Sequence, residues 1–471
     1  MDFQINKKIY FLIFIIFLGF FLRLYNINFE DLWFDEQASF LVADPKLTHV
    51  ETVLLSKNLD YGTSIFFNLI LKNFFQLFGY NPDIGRILTI SIGVFSIPAL
   101  SYLTYQVKQN NGYILVAVLS SISWYLISYS QELRTYSLLF LLSILSIIFF
   151  FKLIEENKKV LNFNLLLFVF ISSLAATTHI FFFIILFSQF IFLIINKYEI
   201  RNYFYVKLFS LILIPLIYLF IMFDYLILQL QLSNDDFWIP QVKLEFFANF
   251  FFSRFFGSKI MGLIYLSTLI YLIIIHRKIV FKLSSKYFFL FLILFFSYFL
   301  PLIYSLFKQP ILTDRYIIFV LIPVFVLISS LILEIQINKL KICLLIVLLL
   351  STITNNYIEI FQREVSKPEF KNTIKYIINK KTNNNIFVLA EHKIHQKIVS
   401  NYSKAIILKE NMNFNFLNEI KSDDIDEFWV LCYEPLNQFK CDLKKIYSEE
   451  FTKKDRVKFK LISATLYKKN L

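Results

Sequence analysis

Glycine and proline are scarce in this 471-residue chain, at 8 and 10. Charged residues make up only 17% of it, against about one quarter in an ordinary soluble protein. The first shortage excludes collagen-like and low-complexity classes, and the second excludes a soluble enzyme of this length. Three cysteines are too few for a disulfide scaffold. Cys343 lies inside an apolar run, which leaves Cys432 and Cys441 as the two able to pair outside the cytoplasm; the sequence leaves that pairing and the redox compartment open. What the chain has in abundance is apolar surface: 57% of residues are AVILMFWYC, with 59 Phe and 27 Tyr. Lipid or protein has to cover it, so the chain reads as a membrane protein. The formal charge of +13 would suit nucleic acid, but in a membrane protein Lys and Arg collect in cytoplasmic loops, and that reading needs no nucleic acid.

Stretches of about 17 to 25 apolar residues can cross a bilayer as helices. They recur at 9–25, 87–107, 113–129, 135–151, 161–178, 180–196, 207–223, 260–275, 287–307, 316–333 and 342–358. The first follows Lys7 and Lys8 without a small-residue cleavage pattern behind it, which predicts an uncleaved anchor and a cytoplasmic N-terminus. Segment 62–80 (GTSIFFNLILKNFFQLFGY) is ambiguous, because it carries Asn68, Lys72, Asn73 and Gln76. Charge bias decides it. If 62–80 does not cross, the short basic loops around Lys108, Lys152, Lys197, Arg277, Lys286 and Lys339 all share the inner side; if it crosses, all of them move outside, against the positive-inside preference. The segment is therefore read as an interfacial or re-entrant helix.

The predicted fold is an all-α polytopic membrane domain, 1–358, of about eleven transmembrane helices with interfacial helices in the first outer loop. A small periplasmic α/β domain, 359–471, follows, its strand-like runs at 386–390, 405–409, 428–432 and 459–467. A last span that failed to cross would leave this domain cytoplasmic. No internal repeat and no Gly-rich phosphate loop supports a nucleotide site.

Ionisable residues at membrane depth are costly, so their positions carry information. With this topology they fall at the outer ends of spans: Glu30, Asp31, Trp33, Asp35 and Glu36 (EDLWFDEQ), Arg86, Gln131, Glu132 and Arg134 (SYSQELRTYS), His179, Asp235, Asp236, Trp238 and Arg254, and Lys308, Asp314 and Arg315 (KQPILTDRY). Segments remote in sequence are expected to converge there on one layer and one pocket. Asp35 or Glu36 suits removal of a proton from an acceptor hydroxyl. Arg86, Arg134 and Arg315 offer forked, permanently charged donors for a phosphate. A base beside a phosphate clamp suits sugar transfer from a lipid phosphate, whose leaving group needs its charge stabilised and needs no nucleotide site. Each residue also has a plainer role: acids favouring a helix N-terminus, Arg86 and Lys308 snorkelling to lipid phosphates, His179 satisfied within a hairpin, Trp33 and Trp238 anchoring at the interface. The joint occurrence favours the chemical reading.

Leu32-Trp33-Phe34-Asp35-Glu36, Phe78-Gly79 with Gly85-Arg86-Ile87-Leu88, Ser130-Gln131-Glu132-Leu133-Arg134-Thr135-Tyr136, Thr178-His179, Asp314-Arg315-Tyr316 and Lys367-Pro368-Glu369-Phe370 occur in that order over about residues 1–375. In these pieces the chain resembles the integral-membrane glycosyltransferases of the GT-C superfamily, in the bacterial branch related to protein O-mannosyltransferases, lipid A aminoarabinose transferase and the lipopolysaccharide galacturonosyltransferases. The resemblance implies an inverting transferase at the outer face of the bacterial inner membrane, moving a hexosyl or pentosyl group from a polyprenyl-phosphate-linked sugar to an envelope lipid, glycan or protein. By the same carry-over, Asp35 and Glu36 are the catalytic, acceptor-side pair and Arg134 and Arg315 bind the donor phosphate, joined by Arg86. Trp33, Glu132, Tyr136, His179 and Lys308 are expected to line the site. Where relatives carry a Pro-rich stretch with His or Lys, this chain has Asp60-Tyr61-Gly62-Thr63, so no donor-binding Lys is assigned there. No cofactor follows; Asp35 with Glu36 alone is not a metal site, and a divalent metal stays open because relatives differ. Two other readings are a transporter or lipid flippase, which would place charges near mid-bilayer and show repeat symmetry, and a polysaccharide polymerase or ligase, which the acid pair argues against.

Overall fold

The computed structural model describes residues 2–59, 64–155, 163–198, 200, 203–231, 251–308, 310–380, 385–389, 413–417, 426–433 and 451–470. The chain divides into two compact units: Met1–Tyr25, His49–Ile70 and Arg86–Arg363 form a helical unit, and Asn26–Thr48, Leu71–Gly85 and Glu364–Leu471 a mixed one. In chain order the helices are α1 (Asp2–Leu24), α2 (Phe34–Val42), α3 (His49–Leu59), α4 (Ile65–Phe78), α5 (Pro82–Val107), α6 (Gly112–Ser121), α7 (Trp124–Ser130), α8 (Tyr136–Glu155), α9 (Phe163–Thr178), α10 (Phe183–Ile195) and α11 (Phe204–Gln231). There follow α12 (Phe251–Phe256), α13 (Lys259–Ile275), α14 (Lys286–Phe307), α15 (Leu321–Leu331), α16 (Asn338–Asn356) and α17 (Phe370–Asn379).

Each of the eleven apolar runs falls on one helix or on consecutive helical segments. Among the described residues, six helical stretches are long and apolar enough to cross a membrane by length and composition, and seven if α6 and α7, bent by 55°, count as one broken span. The expected count of eleven is not reached on that criterion. Length is the reason for α9, α10 and α13, which have 16, 13 and 17 residues, whereas at 1.5 Å per residue about 20 are needed for a 30 Å hydrocarbon core. Helix α4, with 14 residues, is shorter than a span. Two of its polar residues are buried against protein: Asn68 Nδ2 donates to Ser56 Oγ at 3.0 Å, and Lys72 Nζ to the carbonyl of Pro45 at 3.1 Å, while Asn73 and Gln76 are exposed.

The helical unit has two chemically distinct ends. At one, Lys286 Nζ meets Glu155 at 2.5 Å and the carbonyl of Gln106 at 2.7 Å, Lys108 meets Glu334 at 3.4 Å, and Lys8 donates to Asn111 at 3.0 Å. The ends that charge bias had assigned to a common side are therefore together. Between the ends runs an apolar interior in which α15 is buried along its whole length. Phe150 packs there against Phe168, Phe192 and Phe289 at 5.3–6.2 Å between ring centroids.

The break between α6 and α7 frees carbonyls that an unbroken helix would use. Arg23, wholly buried, donates to the carbonyls of Ser120 and Ser121, both at 3.1 Å, and Asn356 Nδ2 donates to that of Ile122. In return Gln131 Nε2 takes the carbonyls of Arg23 and Tyr25 at the end of α1, at 3.0 and 2.8 Å. Close approach here needs Gly93, where a Cβ would overlap Ser130 Oγ.

In the mixed unit, β1 (Asn385–Leu389), β2 (Asn413–Leu417), β3 (Glu427–Tyr433), β4 (Phe451–Phe459) and β5 (Ile462–Lys469) form a sheet in the order β2-β1-β3-β5-β4. β1 runs parallel to β2 and β3, and β5 antiparallel to β3 and β4. Helix α17 buries Phe370, Ile374, Ile377 and Ile378 and packs on β4 and β5. The expected run 459–467 is not one strand: the chain turns at Lys460–Leu461, with Leu461 at φ 56°, so Phe459 closes β4 and Ile462 opens β5. Edge strand β4 is rich in Lys, Arg and Asp, which discourages pairing with another chain. The expected run 405–409 lies outside the described residues, as does Cys441; Cys432 is disulfide-bonded and Cys343 is free.

Candidate functional site

In the mixed unit the acidic loop leads into α2. Trp33, half-buried and extended at φ −64° and ψ 161°, precedes the helix, and its N–H donates to Glu36 Oε2 at 2.8 Å. An acid at the third helical position thereby satisfies an amide that the helix leaves open. The same oxygen accepts from Lys367 Nζ at 2.7 Å, and both side chains are buried. Glu30 Oε1 accepts from the N–H and the hydroxyl of Ser366, at 2.7 and 2.6 Å. Asp31 Oδ2 accepts from the N–H of Lys371 at 2.7 Å, in the first turn of α17, where a carboxylate is favoured. Three acids of the loop thus hold the segment 366–371. Asp35, in the first turn of α2, is half-buried.

In the helical unit, Arg134 lies in the loop between α7 and α8, with its guanidinium 5.8 Å from the centroid of the Tyr136 ring. Arg315 opens a 3₁₀ turn before α15, with its guanidinium 5.6 Å from the Tyr316 ring. His179, in the hairpin after α9, lies between these pairs, its ring 6.1 Å from Tyr136 and 4.9 Å from Tyr316. The result is a cation, a ring, an imidazole, a ring and a second cation, drawn from three connections between helices. Nδ1 of His179 accepts from the N–H of Phe181 at 3.2 Å, so the neutral ring carries its proton on Nε2. Burial, reinforced by Arg134 and Arg315, pushes its pKa down to about 3. The arginines can meet a phosphate, and the imidazole beside them stays neutral.

Asp314, next to Arg315, is buried and bonded to Arg254 at 3.4 Å and to the hydroxyl of Tyr125 at 3.3 Å. Arg86 is buried near the start of α5; its carbonyl accepts from the Thr89 hydroxyl, which also donates to the carbonyl of Ser130. Glu132 is half-buried in the loop of Arg134, and its carbonyl accepts from the N–H of Arg134 at 2.8 Å. Lys308, at the C-terminal end of α14, is exposed. Asp235, Asp236 and Trp238 lie outside the described residues. Sequence reasoning missed two residues. Lys367 was noted only as part of a motif. Arg363 lies over Trp124 at 5.5 Å and donates to Gln131 Oε1 at 3.1 Å; an arginine directly after the last apolar run was its signal. Among the described residues, no three His, Cys, Asp or Glu side chains gather to hold a metal ion.

No family model and no curated protein matches the chain. Solved structures do. ArnT from Cupriavidus metallidurans in the apo state superposes with a TM-score of 0.63 at 7% identity, over 98% of both chains. The same protein bound to undecaprenyl phosphate gives 0.58 at 8% identity, again over 98% of both. The oligosaccharyltransferase AglB from Archaeoglobus fulgidus, in complex with an inhibitory peptide and a dolichol-phosphate, gives 0.54 at 10% identity, over 91% of this chain and 70% of that one. The fold is GT-C. At these identities the likeness is one of fold.

Proposed function

We propose that this GT-C chain is an inverting glycosyltransferase that moves a hexosyl or pentosyl group from a polyprenyl-phosphate donor to an envelope lipid, glycan or protein. The observation that carries this reading is the array Arg134–Tyr136–His179–Tyr316–Arg315: two guanidiniums, each within 6 Å of a tyrosine ring centroid, beside a neutral imidazole at the ends of apolar helices. Such an array suits the phosphate of a lipid whose chain stays in the bilayer. That two neighbours of the same fold were solved with undecaprenyl phosphate and a dolichol-phosphate supports the choice of ligand.

Arg134 and Arg315 bind the donor phosphate and stabilise the negative charge it gains as the bond to the anomeric carbon breaks. The Nε2–H of His179 adds a neutral donor, and Arg86 supports the same end. Asp35 takes the proton of the acceptor hydroxyl as the new glycosidic bond forms. Glu36, already bonded to Lys367 and to the N–H of Trp33, holds the helix turn that carries Asp35. Trp33, Glu132, Tyr136 and Lys308 serve as lining, and each of these steps is carried by side chains of the protein itself.

The same reading takes all eleven apolar helices as spans, the short ones included, in a bacterial inner membrane. The N-terminus is then cytoplasmic and residues 359–471 form a periplasmic domain. The gathering of Lys8, Lys108 and Lys286 at one end of the helical unit supports a common cytoplasmic side. The disulfide-bonded Cys432 supports an oxidising compartment for the sheet.

The test uses the full chain in membranes of its own host with endogenous donor and acceptor, the product followed by mass spectrometry. Asp35→Asn is expected to lower product by about 10² to 10⁴ while the purified variant still binds undecaprenyl phosphate. Undiminished product from folded Asp35→Asn removes Asp35 from the reaction, and movement of a labelled lipid across vesicles without covalent change replaces transfer by a flippase.

A further inference from the structure

Two buried groups of opposite charge, far apart in sequence, meet beside Asp35. Lys367 Nζ lies 2.7 Å from Glu36 Oε2, with side-chain exposures of 9% and 1%. The same carboxylate oxygen receives the N–H of Trp33 at 2.8 Å, which closes the first turn of α2. Asp35 sits in that turn, between the residue that is capped and the residue that caps it. A buried carboxylate is stable as an anion only with a cation and donors around it. Loss of the Lys367 ammonium favours protonation of Glu36 or its turning toward water, and turning would pull the cap off Trp33.

We propose that Lys367 is a positioning residue: by neutralising Glu36 it keeps the first turn of α2 closed and thereby fixes the direction of the Asp35 carboxylate. The inference rests on the reading of Asp35 as the base. It assigns the charge of the Glu36 carboxylate to a strut, and it makes the segment 366–371, which also anchors Glu30 and Asp31, part of the support of the reacting group. Displacement of a reacting group by about 1 Å can cost on the order of a hundredfold in rate, so loss of the strut is expected to be visible in turnover before it is visible in donor binding.

Four full-length proteins decide the matter in host membranes: wild type, Lys367→Met, Lys367→Arg and the double variant Lys367→Met with Glu36→Gln. Product from endogenous substrates is measured from pH 5.5 to 8.5, and binding of undecaprenyl phosphate is measured on the purified proteins. Lys367→Met is expected to lose about tenfold or more in product rate at pH 7.5 with binding unchanged. Lys367→Arg should stay within about threefold of wild type, since a guanidinium keeps the charge. The double variant should regain most of the loss, because the amide introduced by Glu36→Gln is neutral and its oxygen still accepts from the N–H of Trp33. The pH profile supplies a readout that a general packing defect would not move. In Lys367→Met the Glu36 carboxylate loses a cation 2.7 Å from its oxygen, which favours the protonated form, so activity should recover toward acid pH, where the acid is as neutral as an amide. Wild-type rate and profile in Lys367→Met would overturn the proposal, and so would a double variant no better than the single one. Should Lys367→Met fail to accumulate, the double variant against Lys367→Arg carries the same decision. Activity retained in Asp35→Asn would instead defeat the reading of the base and leave the strut to be judged on the stability of α2.

Discussion

The acidic loop of the mixed unit and the arginine array of the helical unit were assembled in opposite ways. In the loop, acids adjacent in sequence are dispersed among different partners: Glu30 to Ser366, Asp31 to Lys371 and Glu36 to Lys367. In the array, residues remote in sequence converge, Arg134 and Arg315 flanking His179. The difference has a geometric cause. Successive residues on an α-helix point about 100° apart, so Asp35 and Glu36, though neighbours, take different surroundings, one half-buried and the other enclosed. Residues at the same ends of antiparallel spans, by contrast, are held together by the bilayer geometry whatever their sequence distance. A run of like charges is therefore poor evidence that its members share a task, whereas like charges at equivalent span ends are better evidence.

The sharpest way to break the comparison is to exchange roles within the acid pair. Asp35→Asn is expected to lower transfer by about 10² to 10⁴, the range of a general base, with the thermal midpoint unchanged. Glu36→Gln is expected to show a smaller loss of rate and a lower midpoint, because it removes the buried ion pair between Glu36 and Lys367. Rates from envelope product and melting curves on the same preparations check both. Equal loss of rate in the two, with equal stability, would return Glu36 to the reacting groups.

A smaller effect is expected in the array. Arg134→Met and Arg315→Met each remove charge-assisted hydrogen bonds worth about 1.5–3 kcal/mol, so undecaprenyl phosphate should bind roughly ten- to a hundredfold more weakly. Lys at either position should recover only part of this, because an ammonium offers a point charge where the guanidinium offers a planar fork. Lys339→Met, exposed in the first turn of α16, is the control and should leave binding within about twofold. Titration of the purified variants with undecaprenyl phosphate measures all of them; unchanged affinity in both arginine variants would remove the array as the phosphate site.

Much of this arrangement was legible in the sequence, for reasons that also mark where reading failed. Apolar runs located the apolar helices, and charge bias grouped the basic helix ends at one end of the helical unit, because both depend on local composition and on a solvent that acts on every residue alike. The break between α6 and α7 was not legible. GYILVAVLSSISWYLISYS contains neither a proline nor an internal glycine at the break, and the donors that make it tolerable, Arg23 and Asn356, are about a hundred residues or more away. The turn at Lys460–Leu461 lacked Gly, Pro or Asn, so 459–467 read as one strand. In the site, the types of residue were readable but their partners were not. Nothing local to Glu36 announces Lys367, and only a three-dimensional pairing separates a strut from a base.

The finest test of the comparison concerns the neutral member of the array. His179 has a folded-state pKa pushed down to about 3 by burial and by the two arginines, against about 6.5 in an unfolded chain. A depressed folded value means that the unfolded state binds more protons as pH falls. His179 therefore contributes stability that is fully present above about pH 6.5 and is lost as pH descends toward 3. His179→Gln removes this one contribution and leaves every carboxylate in place. The difference in unfolding midpoint between wild type and His179→Gln, followed in nanodiscs from pH 7.5 to 4.5, should therefore move against wild type as the medium is acidified. A difference independent of pH would mean that the folded-state pKa of His179 is not lowered, and a difference moving in favour of wild type on acidification would mean that an imidazolium forms between Arg134 and Arg315, making the array a three-cation site rather than two cations about a neutral donor.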